Sequence, residues 1–482
     1  MSAPRLAALL LAALHLPAAA AAPGYAVVVA EEVLARPGWK AVCEALREKH
    51  PGSVQVTWKE RPEEALERLS ERHPAFTCFV APCTATGPDF VASVHRLTRR
   101  YDADPYTDTR WGIVTGYDAA AALELVRFDR PIEVRRTSSG TAIAMDMVEE
   151  AVWYDELVAN KKVAKIGGAT EATEERCPTD TTRLLAATLS DWNADLFVTS
   201  GHGFERGWQI GFRYRNGFFE SEDGKLYGKE ISGERFAIHS GHPRVYLPIG
   251  NCLVGCIRDK HAYALAMMKE AGVKGMVGYT VPTWYGYAGW GCLDTFLEQP
   301  GRYTLNEAFL ANQLALVHRL STAFPALMKE QPEPGRTHRG RAEPSDDGRA
   351  LGVTPAEGAG LLHDRDVLAY YGDPALDARM APRRCAYEQS LEREGEVFTL
   401  RITGNRGERS FAPVHTNGSQ RGGRPIVQFL PCRLGKLEIL EGGEHAPVVA
   451  DDFVLVPNPG EGGPDRMVIR FRGTEIAAGS QP

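Results

Sequence analysis

A histidine and a cysteine carry the chemistry that this sequence is equipped to do. "LFVTSGHGF", residues 196 to 204, is an apolar run ending in His202, held between Gly201 and Gly203. "RVYLPIGNCLVGC", residues 244 to 256, is a second apolar run ending in Gly250, Asn251 and Cys252. Each reads as a strand leaving a core with a reactive group just past its carboxyl end, where open α/β sheets gather their functional groups. If the two strands are parallel neighbours, the imidazole and the thiol emerge side by side. A free thiol, with a pKa of about 8.5, is mostly protonated at neutral pH, and a nearby histidine raises its thiolate fraction. The glycines leave the backbone beside both groups open to a substrate carbonyl. The N–H groups of Gly203 and Cys252 can then form an oxyanion hole, a device typically worth a few kcal/mol per donor in the transition state. Taken singly, a histidine at a strand end is more often structural, and a buried cysteine more often a small hydrophobe. The repeated context, strand–Gly–His–Gly and strand–Gly–Asn–Cys, is what favours nucleophilic catalysis.

The elements that must position this pair alternate along the chain. "YAVVVA", "SVQVTW", "FTCFVAP" and "WGIVTGY" read as strands. The helices between them include "WKAVCEALREKH", where Trp39, Val42, Cys43 and Leu46 fall at helical spacing. This alternation predicts an α/β unit with a parallel-type sheet over residues 23–130. The pattern repeats over 131–382, with strands at "KKVAKIGGA", "DLFVTSG", "RVYLPIG" and "VKGMVGYT". Helices are expected at "TTRLLAATLSDW", with Thr179 or Asp180 near its N-cap, at "AYALAMMKEAG", and over 290–298 and 305–320. Residues 330–360 are rich in Pro, Gly, Arg and Asp without a period and read as a loop or linker. From residue 383 the helical period disappears, and short alternating runs such as "VFTLRITG" and "MVIRF" predict an all-β sandwich over 383–482. No G-x-S-x-G, P-loop or strand-borne G-x-G-x-x-G occurs, which removes the commoner α/β enzyme classes.

The two strand-end motifs resemble those of clan CD cysteine peptidases, in which a strand ending in His-Gly precedes a strand ending in a small residue and the nucleophilic Cys. The likeness is nearest to the gingipain family. "AYALAMMKEAGVKGMVGYTVPTWYGYAGWGCLDTFLE" resembles that family's segment after the Cys, and "AYYGDPAL", 369 to 376, its Leu-Gly-Asp-Pro-x-Leu closure. The first unit, including "YDADPYTDTRWGIVTGY", resembles its non-catalytic subdomain, and the tail an immunoglobulin-like module. The resemblance implies two caspase-like α/β units, non-catalytic then catalytic, and a cysteine endopeptidase acting on protein or peptide substrates. It makes Cys252 the nucleophile, His202 the acid/base and Gly203 an oxyanion donor, and places Trp284 in the pocket for the side chain before the scissile bond. Tyr285 belongs to the same aromatic cluster past a strand. Gly250-Asn251 departs from the Ala usual before the Cys, and no inhibitory propeptide is visible between the apolar leader and the first unit. Those departures favour the alternative, a catalytically inactive caspase-like binding module.

Four other groupings bear on function. His239 and His242 precede Cys252 and Cys256, a two-His, two-Cys set that could hold zinc, but C-x₃-C is not the usual ligand spacing. Asp102, Asp104 and Asp108 offer hard oxygens for a structural Ca²⁺, although a solvated charged turn explains them too. No cofactor is otherwise required. A basic side chain before the scissile bond would need a carboxylate in its pocket, for which Glu174, Glu175 and Asp180 stand at plausible strand-end height. The aromatics of 204–228 serve equally well as a groove or as that loop's own small core.

Composition sets the frame. The chain has 482 residues, 44% hydrophobic and 24% charged, with net charge −7, which argues against a nucleic-acid partner. Arg5, the run Leu6–Leu14, Pro17 and Ala18–Ala22 have the form of a signal peptide over 1–22, so the protein is expected to be secreted, periplasmic or at the cell surface, with no integral membrane segment after its removal. Nine scattered cysteines, an odd number, do not form a small disulfide scaffold.

Overall fold

The computed structural model describes residues 24–336, 342–350, 352–414 and 420–476; the expected signal peptide lies outside them. One twelve-stranded, mostly parallel sheet runs through the α/β part of the molecule. Val54–Trp58 forms one edge, followed by Tyr25–Ala30, Phe76–Val80 and Arg110–Val114, all parallel. Then come Leu368–Gly372, Val273–Tyr279, Arg244–Pro248, Leu196–Thr199, Arg136–Ser139, Glu150–Tyr154, Lys161–Lys165 and Thr173–Arg176. The four strands of 23–130 thus share a single sheet with eight strands of 131–382. The seam is Leu368–Gly372, parallel to Arg110–Val114 and antiparallel to Val273–Tyr279.

The central strands read as unbroken apolar runs because helices cover both faces of the sheet. Every residue of Tyr25–Ala30, Leu196–Thr199, Arg244–Pro248 and Leu368–Gly372 is buried. The seam is pinned just past its end by Asp373, which accepts from Tyr25 Oη at 2.9 Å and meets His50 Nε2 at 2.9 Å and Lys49 Nζ at 3.0 Å. Burial raises this carboxyl. The His50 hydrogen bond and the charges of Lys49 and His50 outweigh burial and leave it well below the ordinary carboxylate range.

Two segments differ from the sequence-based expectation. Residues 330–360 contain the start of a real helix, Pro355–Asp364, begun by a Thr354/Glu357 capping box with Pro355 in its first turn. Its glycines disguise it, yet they are there for packing: a Cβ at Gly358 would meet Phe324 at 2.8 Å, and one at Gly360 would meet Tyr285 at 2.4 Å. Arg136–Ser139 is a buried strand without an aliphatic residue. Two of its three hydroxyls are satisfied internally, Ser138 with Thr188 at 2.5 Å and Ser139 with the Thr141 carbonyl at 2.6 Å, while Thr137 Oγ1 is buried with no hydrogen-bond partner among the described residues.

Between the His-bearing and Cys-bearing strands the chain makes a five-stranded antiparallel sheet, from Gly203–Phe204 to Arg235–Ala237. Its aromatics divide. Trp208 and Phe219 are buried against Phe197, whereas Phe204 and Phe212 stay exposed. The C-terminal part is all β: four antiparallel strands within 387–475 facing three within 426–456. Phe398, Leu400, Ile469 and Phe471 meet Ile426, Val454 and Val456 in the core between them. The outer face of the smaller sheet, through Val427, Phe453 and Leu455, packs on Leu310, Leu314 and Val317 of helix Leu305–Ala323. That helix is therefore buried on two sides. Among the described residues no helix is long and apolar enough to cross a membrane.

Candidate active site

The strands Leu196–Thr199 and Arg244–Pro248 are parallel neighbours, in register from Leu196 beside Val245 to Thr199 beside Pro248. His202 and Cys252 follow them at the same edge of the sheet. Gly201, at φ +84°, makes the turn that an L side chain resists. It leaves His202 exposed, its ring centroid 4.9 Å from that of Phe212. Gly203 has a different reason. A Cβ there would lie 2.8 Å from the Cys252 carbonyl oxygen, 2.8 Å from Val254 Cγ2 and 2.9 Å from Asn251 Cβ. The space that a side chain at 203 would need is thus taken by the cysteine turn.

The cysteine turn is strained. Leu253, next to Cys252, has φ +60°, a left-handed conformation that costs a branched residue about 1–3 kcal/mol. It is held by Leu253 N–H to the Val281 carbonyl at 3.2 Å and Gly255 N–H to the Tyr279 carbonyl at 2.8 Å. The thiol itself is half-buried. Its Sγ accepts from the Thr283 N–H at 3.3 Å and lies 3.5 Å from the Thr283 carbonyl oxygen. Among the described residues no hydrogen bond joins Cys252 to His202; both line one open cleft of about 530 Å³.

Trp284, 48% exposed, lines the same cleft, with Phe212, Arg213 and Trp290. Tyr285 does not. It is buried against Gly360 of the helix beneath, with its ring stacked near Tyr287. The carboxylate in the cleft is Glu156, which sequence reasoning missed. It is 5% exposed, accepts from Thr141 Oγ1 at 2.6 Å and from the Trp153 indole N–H at 3.4 Å. Glu156 stands two residues past Glu150–Tyr154, itself parallel to its neighbour, so the strand-end rule that locates His202 and Cys252 also reaches it. Glu174 and Glu175 instead lie exposed on the edge strand, paired with Lys161 at 3.4 Å and Lys162 at 2.8 Å. Asp180 accepts the backbone N–H groups of Thr182 and Ile231 at the start of a helix.

The zinc grouping is taken apart by the fold. His239 pairs with Glu270 at 3.1 Å and His242 with Asp195 at 2.8 Å, while Cys256 lies 3.5 Å from Glu205. Burial pushes the thiols of Cys43, Cys256 and Cys292 each up to about 12, which keeps them protonated. All nine cysteines are unpaired. Asp102, Asp104 and Asp108 do converge, their ligand oxygens within 4.8 Å of one another, an all-oxygen set of the kind that suits Ca²⁺. Burial and the neighbouring Asp102 push the Asp104 carboxyl up to about 6 and Asp108 well above its ordinary value. Asp102 also approaches Arg433 at 3.8 Å, so this cluster lies where the first unit meets the β-sandwich.

No known protein family and no curated protein matches the sequence. Two solved structures are similar in layout. One is the crystal structure of the Arg-specific cysteine proteinase gingipain R, with TM-score 0.42 and 9% identity over 94% of this chain and 98% of that one. The other is the complex of the Porphyromonas gingivalis RgpB pro- and mature domains, with TM-score 0.40 and 10% identity over 94% of each chain.

Proposed function

We propose that the protein is an exported cysteine endopeptidase of gingipain-like type. The observation that carries the reading is the placement of His202 and Cys252 past the carboxyl ends of adjacent parallel strands, lining one cleft. In the proposed reaction Cys252 gives its proton to His202, and the thiolate attacks the carbonyl carbon of the scissile peptide bond. The N–H groups of Gly203 and Cys252 receive the oxyanion. His202 returns the proton to the leaving amine nitrogen as the C–N bond breaks. Water then adds to the thioester, releasing the acid and restoring the thiol. The Thr283 N–H, already directed at Sγ, holds the sulfur in position in the cleft. Trp284 offers an exposed ring to the substrate side chain before the scissile bond.

One observation favours a second reading, a binding module without turnover: the thiol is hydrogen-bonded to Thr283 and not to His202. Hydrolysis of a peptide library by the wild type, Cys252→Ala and His202→Ala separates the two. The peptidase reading expects cleavage that both substitutions abolish. Full activity in Cys252→Ala, or no cleavage by the wild type, would sink it.

A further inference from the structure

Asn251, the residue that departs from the expected pattern before the cysteine, is fully buried and joins the two turns of the candidate site. Its Oδ1 accepts from Thr199 Oγ1 at 2.6 Å, and its Nδ2 donates to the Gly201 carbonyl at 3.0 Å. Thr199 Oγ1 also lies 2.9 Å from Tyr246 Oη. A threonine hydroxyl has one proton, and here Asn251 receives it, so the tyrosine must donate to Thr199. The bonds therefore run in one direction: Tyr246 on the Cys-bearing strand, Thr199 on the His-bearing strand, Asn251 before Cys252, and the carbonyl before His202. Turning the amide over would set its oxygen against the Gly201 carbonyl oxygen, so the network also fixes its orientation. Asn251 Cβ further packs where a side chain on Gly203 would stand.

We propose that Asn251 is a positioning residue that sets the spacing and orientation of His202 relative to Cys252. The Gly201 carbonyl belongs to the peptide unit that carries the His202 N–H, and Asn251 shares a peptide unit with Cys252. One buried amide thereby clamps the backbone immediately before each reactive group. No apolar residue of similar size can do this, because the Thr199 hydroxyl and the Gly201 carbonyl would both lose a partner in a dry place. The proposal rests on the peptidase reading for its effect on turnover, but not for its effect on the thiol.

The test uses the full-length protein and three variants, Asn251→Asp, Asn251→Ala and Thr199→Val. Peptide hydrolysis is followed across pH, and Cys252 alkylation by iodoacetamide is followed with and without His202→Ala. Above neutral pH the new carboxylate of Asn251→Asp would face the Gly201 carbonyl with no proton to give; when protonated it regains a donor. The expected result is a loss of roughly 10- to 100-fold in kcat with KM changed little, from misplacement of the two groups by less than about 1 Å. In Asn251→Asp the ratio to wild type should recover as pH falls. In Asn251→Ala it should stay low throughout. Thr199→Val, which keeps the shape of the core, should lose activity in the same direction. Variants that unfold at lower temperature yet keep wild-type kcat and pH profile would overturn the proposal by leaving Asn251 a purely structural role. If the wild type hydrolyses no peptide, the peptidase reading fails by itself, and alkylation decides the matter. A His202-dependent alkylation rate that Asn251→Ala erases supports the clamp; the same dependence in both proteins overturns it.

Discussion

Replacing Gly203 with alanine tests how the two turns of the site fit together. The added Cβ would stand 2.8 Å from the Cys252 carbonyl oxygen, 2.8 Å from Val254 Cγ2 and 2.9 Å from Asn251 Cβ. Ordinary van der Waals contact begins at 3.4 Å, so the shortfall is 3.4 − 2.8 = 0.6 Å. Only the valine methyl can swing aside; the other two atoms are backbone, or are fixed to it. The cysteine turn must therefore move by about half an ångström, carrying Sγ with it, and overpacking of this kind costs about 1–3 kcal/mol. Displacements near 1 Å cost roughly 100-fold in reactions that depend on orientation, so a loss of about tenfold or more in peptide hydrolysis is expected. Thermal unfolding and the rate of Cys252 alkylation report the two effects separately. Gly241→Ala is the control, since a Cβ at that position would have nothing within 4 Å. Unfolding and alkylation both matching wild type in Gly203→Ala would refute the packing of the histidine turn on the cysteine turn.

Asp373→Asn removes the charge shared by Lys49 and His50 at the seam of the sheet; because both partners are partly solvated, the expected loss is about 3 kcal/mol, read by denaturant unfolding. The folded Asp373 carboxyl lies below its unfolded value, so its contribution is present above about pH 4 and is lost as pH falls below that. The gap between wild type and variant should close in acid as Asp373 takes up its proton. Asp364 has the opposite sign: burial lifts it to about 7, so wild-type stability should fall as pH rises from about 4 to about 7. That slope is worth up to about 4 kcal/mol, and Asp364→Asn should lack it in unfolding curves taken across this range. Millimolar Ca²⁺ should raise the unfolding temperature of the wild type through Asp102, Asp104 and Asp108, and Asp104→Asn should remove the increment.

Which parts of the molecule can be seen in the sequence follows from what each residue is packed against. Tyr25–Ala30, Leu196–Thr199 and Arg244–Pro248 announce themselves because strands buried on both faces are apolar over most of their length, with Arg244 and Thr199 buried at their ends on hydrogen-bond partners. Arg136–Ser139 hides because its burial is made possible by hydroxyl partners at Thr188 and Thr141, which no periodicity reveals. Pro355–Asp364 hides behind glycines that a linker would also use, although its Thr354/Glu357 box is legible to anyone who looks for it. Within the site, His202, Cys252 and Trp284 stand out by type and setting. Glu156 does not, and Asn251 stands out only as a departure before the cysteine, because what gives both their places are contacts to Thr141, Thr199 and Gly201, made across turns and between strands. Tyr285 shows the converse: an aromatic beside a pocket residue in sequence, turned inward by the helix it packs on.

The most direct test of the central claim is to treat the purified protein with peptidyl acyloxymethyl ketones that differ only in the residue before the warhead, and to locate the adduct by mass spectrometry. A thioether on Cys252, selective for one class of side chain and lost in His202→Ala, is the predicted result. Failure of every probe to modify Cys252, while iodoacetamide still reaches it, would contradict the account.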